Sequence, residues 1–222
     1  MVENKYAFLK ALVFTITVFA IGLILGFFIE YSRVNEVQLA LINSETNSLD
    51  EQTRTKEIKD LKIGCDLNKK STFMFADKIY EEAKQLEKFD SANKFTNDLR
   101  LIHKKYDILR MNLWLESIEL KEKCKSDLHT VVYIFEYASE DIETKSKQAA
   151  LSKMLLDLKY NQKEKMLLIP IAGNLNLSSV DLVKEQYKIK KLPVIIIDEK
   201  EVISEIIPLE QLEKHIFKTN KE

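Results

Sequence analysis

Tyr187–Val202 reads YKIKKLPVIIIDEKEV. The tyrosine is followed two residues on by β-branched Ile189, and Pro193 comes four residues after that. Pro193 opens the apolar run Val194–Ile197, which ends at Asp198. A short β-branched run bounded by polar residues predicts a buried strand, here Pro193 to Asp198. A proline lacks the N–H that a strand interior needs, but it is tolerated at a strand's first residue. Glu199–Lys200 then predicts a tight turn into a further strand, Glu201 to Ile207.

Working outward, Pro208 suits the first turn of a last helix that turns Leu209, Leu212 and Ile216 to one side. Upstream, Thr130 to Phe135 (TVVYIF) reads as a strand and Thr144 to Tyr160 as a helix with Ala150, Met154, Leu155 and Leu158 inward. Lys165 to Ile171 reads as a second strand. Ser178 to Tyr187 reads as a helix, with Ser178 or Ser179 as cap and Val180, Val183 and Tyr187 on its apolar side. The order is βαβαββα, an α/β fold with a four-stranded mixed sheet.

With Tyr187–Val202 and the Pro208–Phe217 helix as its best-matching segments, this region resembles the thioredoxin-like superfamily from about Leu128 to Phe217. The resemblance implies a cis peptide at Leu192–Pro193, beside the place where active relatives carry a CxxC pair. That window is Tyr137 to Ser146, YASEDIETKS, and Glu143 and Ser146 stand where the two cysteines would be. There is no cysteine after Cys124. A thiolate activated at a helix N-terminus is therefore missing, and with it the family's dithiol chemistry. Acidic residues at a helix start are explained by capping and by the helix dipole. What the resemblance leaves open is a loop, Leu192 and Pro193 with Ala138, Ser139 and Glu143, able to pair with an extended peptide. Pro170 falls inside the second strand, which the resemblance makes an edge strand; a proline there also blunts the edge.

The chain's two cysteines lie elsewhere. Ser71 to Cys124 reads as a hairpin of two amphipathic helices. Ser71 or Thr72 caps the first, with Phe75, Ile79, Ala83 and Leu86 on one face. The break falls at Asp90 to Asn93. The second helix carries Leu99, Ile102, Tyr106, Leu109, Leu113 and Leu120 at helical spacing, with Trp114 beside them. Cys65 and Cys124 flank this hairpin, so its two ends can bring the thiols to bonding distance. A structural disulfide is the expectation, with free buried thiols or a redox-active pair as alternatives. A bridge needs an oxidising compartment.

At the N-terminus, Ala11 to Ile29 carries no charge and Phe8 to Ile29 only Lys10. At ~1.5 Å per residue the uncharged run spans roughly 28 Å, close to a hydrocarbon core of about 30 Å. A cleaved signal peptide has a shorter apolar region and a small-residue cleavage site. Here Glu30, Tyr31, Ser32 and Arg33 follow, which favours a retained anchor through residues 8–29. Lys5 and Lys10 precede the span and Arg33 follows it, a weak bias toward a cytoplasmic N-terminus and an extracytoplasmic body. Gly22 and Gly26 form a GxxxG, a face that suits helix dimerisation. Val34, Val37 and Leu41 extend the helix; residues 31–64, polar from Asn43 to Lys62, read as a helical stalk or linker, with a weak coiled coil as the alternative.

Across 222 residues, 34 basic and 35 acidic side chains balance, which leaves no overall field for nucleic acid. His103, His129 and His215 are scattered, without ligand spacing for a metal. No phosphate loop, nucleophile elbow or dinucleotide fingerprint occurs, and no cofactor is implied. The expectation is a membrane-tethered, extracytoplasmic interaction or assembly module that binds another protein and is not redox-active. The rival is a membrane-bound oxidoreductase using Cys65 and Cys124 or a partner's cysteine.

Overall fold

The computed structural model describes residues 3–90 and 96–218. Among these are six α-helices, one short 3-10 turn (Lys163–Lys165) and one mixed four-stranded sheet. The chain divides into two compact units, Met1–Asn43 and Ser44–Glu222.

Helix α1, Glu3–Asp60, contributes to both units. In the first, Tyr6–Ser32 has a mean hydropathy of 2.7 and is long and apolar enough to cross a membrane. Thr15 and Thr17 interrupt its apolar surface, and each returns its hydroxyl proton to the carbonyl four residues back, at 2.9 and 2.8 Å. That removes polar groups hydrocarbon could not solvate. Gly22 and Gly26 have open space where a Cβ would stand.

In the second unit, residues 44–60 of α1 are helical, as expected of a helical stalk, and they are packed. They pack through polar side chains, which hydrophobic spacing cannot reveal. Asn47 donates to Glu82, and Arg54 donates to Glu51, Ser71 and Glu116. Helix α2, Cys65–Asp90, starts ahead of the proposed Ser71/Thr72 cap. Thr72 is instead a buried residue inside the helix, donating to Asn68 O and Glu116. Phe75 and Ile79 are buried as the spacing predicts; the side chain of Leu86 and residues 91–95, where most of the break expected at Asp90 to Asn93 falls, lie outside the described residues. Helix α3, Thr96–Cys124, buries Leu99, Ile102, Tyr106, Leu109, Leu113, Trp114 and Leu120.

Strands β1 (His129–Phe135), β2 (Met166–Ala172), β3 (Val194–Ile197) and β4 (Glu201–Ile203) form the sheet in the order β2-β1-β3-β4. β1 is parallel to β2 and antiparallel to β3, and β4 returns antiparallel along β3. β3 and β4 end earlier than expected. Asp198 and Glu199 both take positive φ, 46° and 59°, so the chain turns one residue sooner and β3 stops at Ile197; β4 pairs only as far as Ile203, opposite Ile195. Helices α4 (Ile142–Gln162) and α6 (Leu209–Lys218) cover one face, packing Leu151, Leu155, Leu158, Leu212 and Ile216 on Val131, Tyr133, Ile195 and Ile197. Leu151 takes the inward place given to Ala150, which is exposed. Leu209, also expected inward, is exposed. Helix α5, Ser178–Gln186, is capped by Leu177 without a side-chain bond, not by Ser178 or Ser179.

Strand alternation turns Val132, Ile134, Leu167, Ile169 and Ile171 to the other face. The nine-residue α5 is too short to cover it, and α3 takes the rest. At one end of α3, Trp114 donates to Glu199 at 2.7 Å and Lys121 reaches Thr130, Asp198 and Glu199 at 2.7, 3.2 and 2.5 Å. At the other, Asp107 accepts the Ala172 N–H at 3.3 Å. α3 thus belongs to the sheet unit as a fixed layer.

The edge reading of Pro170 agrees with this geometry. β2 is an edge strand. The Gly173 N–H donates inward to Phe135 O at 2.7 Å, whereas that of Ala172 points outward to Asp107. Alternation puts Pro170 on the outward side with Ala172, so its missing donor costs the ladder nothing.

Candidate functional site: the loops at the end of β1

Where β1 ends, two side-chain amides replace the neighbouring strand. The Glu136 N–H donates to Gln148 Oε1 at 2.6 Å, and Gln148 Nε2 donates to Glu136 O at 3.1 Å. The Tyr137 N–H donates to Asn174 Oδ1 at 2.8 Å, and Asn174 Nδ2 donates to Tyr137 O at 2.9 Å. An amide offers both a donor and an acceptor, so each closes both backbone groups of one loop residue. Ala138 then turns the chain with φ 51°. Buried Ser139 donates to the Glu136 carboxylate at 3.2 Å. Asp141 caps α4 by accepting the Thr144 N–H at 2.8 Å, and the hydrogen bonds from Thr144 hold its carboxyl below the ordinary range.

The expected residues separate into two groups. Glu143 is exposed, in an i,i+4 pair with Lys147 at 2.6 Å, and Ser146 is exposed one turn along α4. Ala138 is exposed and Ser139 is buried in the loop. The Leu192–Pro193 peptide is cis, with Pro193 buried and Leu192 half-buried. Val194 pairs with Ile134, so the Pro193 loop and the 136–141 loop leave the same end of the sheet. Gly173 lies between them: a Cβ there would stand 2.7 Å from Leu192 Cδ1 and 2.8 Å from Ile134 Cγ2. A side chain at this position would force Leu192 or Ile134 to shift, so glycine allows the close approach.

Sequence reasoning missed Gln148, Asn174 and Gly173. Asn174 and Gly173 form an ordinary turn pair, and Gln148 an ordinary helix-surface residue, until β1 and β2 are placed side by side. It also missed Tyr137, whose ring packs on His103 of α3 at 4.3 Å and joins this loop to the hairpin.

Cys65 and Cys124, the first residue of α2 and the last of α3, are joined in a disulfide with Cα atoms 5.6 Å apart. Neither lies in the loops just described. Among the described residues no group of His, Cys, Asp and Glu could hold a metal ion. Comparison with protein-family models and with curated proteins finds no match for this chain.

Proposed function

We propose that this chain is a membrane-anchored protein whose C-terminal domain is thioredoxin-like and works as a binding or assembly module, not as a dithiol enzyme. Support for the fold comes from the strand order β2-β1-β3-β4, with β1 parallel to β2 and the last two strands antiparallel. The observation that carries the function is the state of the 136–141 loop. It has no thiol, and its backbone groups at Glu136 and Tyr137 are held by Gln148 and Asn174. A nucleophile loop needs a reactive group at the helix start. A recognition loop needs rigidity, so that little ordering entropy is lost on binding.

The body of the protein lies outside the cytoplasm in this reading. A disulfide persists in oxidising compartments, and the lysines before the span agree with an N-terminus inside. The partner is a protein of the membrane or envelope, met by Ala138, the half-buried Leu192 and the surface around them. Gly22 and Gly26 suit self-association of the span. A photo-crosslinking residue placed at Ala138 in the full chain, irradiated in native membranes, tests this reading. A discrete protein adduct, lost when the probe is moved to exposed Lys214 on α6, is the expected result. Equal labelling from both positions would contradict it.

A further inference from the structure

A groove of about 490 Å³ runs between α2 and α4 beside the outer edge of β2. Its cause is visible in the sequence. α2 presents Ala76 and Ala83, and α4 presents Ala149 and Ser152, so the two helices face each other through small residues. Its floor is apolar, with Phe135, Leu155, Leu168 and Pro170. The volume falls in the range of small-ligand sites.

The charged side chains among its described lining residues are basic. Among the described residues Lys84, Arg110 and Lys159 line the groove, with His103, and no Asp or Glu does. Arg110 is engaged by Asp107 at 3.0 Å. Lys159 lies over the Tyr80 ring at 4.6 Å, with exposed Asp77 a looser 3.7 Å away. Lys84 is exposed, on the same helix and next to Ala83. An apolar trough with lysines at its rim complements a molecule with an apolar body and an anionic head. The geometry points to a site for a single-chain amphipathic carboxylate, of the size of a long-chain fatty acid. Its chain lies along Leu155, Leu168 and Pro170, and its head meets Lys84 or Lys159. This inference does not depend on the protein-binding reading of the 136–141 loop.

The test uses the full chain in phosphatidylcholine nanodiscs, with radiolabelled palmitate as probe and empty discs as background. Saturable binding of about one palmitate per chain is expected, with methyl palmitate at least tenfold weaker as a competitor because it lacks the charge. Reversing the rim in K84E/K159E is expected to weaken binding about tenfold. Filling the trough in A83L/S152L is expected to abolish it, while the unfolding transition stays at or above that of the parent, showing that the fold is intact. Absence of saturable binding, equal competition by the methyl ester, or unchanged binding in the filled variant at parental stability would each overturn the assignment.

Discussion

The Asp107 carboxylate on α3 accepts the outward N–H of Ala172 on β2, 65 positions along the chain, at 3.3 Å, while the same side chain accepts from Arg110 at 3.0 Å. Asp107 is 1% exposed. Burial pushes its carboxyl up, against the opposing pull of Arg110 and the Ala172 N–H. One buried group therefore closes the sheet edge and holds the hairpin on the sheet. Replacing it by leucine leaves Arg110 and the Ala172 N–H without their acceptor, a loss of about 3 kcal/mol. Asp107→Asn keeps an acceptor and is expected to lose less. Denaturant unfolding followed by fluorescence of Trp114, the chain's single tryptophan, measures both.

The disulfide closes a loop of 59 residues. In the chain-entropy picture such a closure contributes roughly 4 kcal/mol, and less where the reduced chain keeps structure. The double variant C65S/C124S is expected to lower the unfolding midpoint clearly while retaining the helix and strand content by circular dichroism. An unchanged midpoint would mean that the bridge does not brace the hairpin.

Glu51 and Glu116 share one cation, Arg54, in a buried junction of α1, α2 and α3. Burial raises the Glu51 carboxyl from an ordinary 4.5 to about 7, with the nearby Glu116 adding to the rise and Arg54 opposing it. Between those values the folded chain holds a proton that the unfolded chain has lost, so stability falls as pH rises from about 4.5 to about 7 and then levels. The loss attributable to Glu51 is on the order of 3 kcal/mol. Unfolding midpoints at pH 5.5 and 8 are expected to differ in the parent and to converge in Glu51→Gln, which keeps the shape without titrating.

Gly173→Ala places a methyl against Leu192 and Ile134, at 2.7 and 2.8 Å before relaxation. Overpacking of this kind costs about 1–3 kcal/mol. Leu192 is the partner able to yield, because the near atom ends its side chain, whereas Ile134 is fully buried in β1. The double variant G173A/L192A is therefore expected to recover part of the loss. Failure to recover would place the conflict at Ile134.

The sheet was legible in the sequence because its signals are local: β-branched runs, Pro193 before β3, and a proline on an edge strand. The hairpin was legible through apolar spacing, and the Cys65–Cys124 bridge through the way a hairpin returns its ends. What failed were features fixed by polar contacts across long separations. Residues 44–60 of α1 read as a helical stalk or linker, and their packing was not legible because Asn47, Glu51 and Arg54 carry no apolar periodicity. The start of α2 was set late because Thr72, a good cap by type, spends its hydroxyl on Asn68 O and Glu116. The groove was invisible for a different reason: Ala76, Ala83, Ala149 and Ser152 look like ordinary helix residues until α2 and α4 face each other.

In the proposed reading, the domain of residues 128–222 binds a partner without dithiol chemistry. The most direct test is reduction of an insulin disulfide by the full chain in mild detergent with a catalytic supply of dithiothreitol, beside C65S/C124S. The background rate is expected for both proteins. Turnover comparable to a thioredoxin, lost in C65S/C124S, would contradict it.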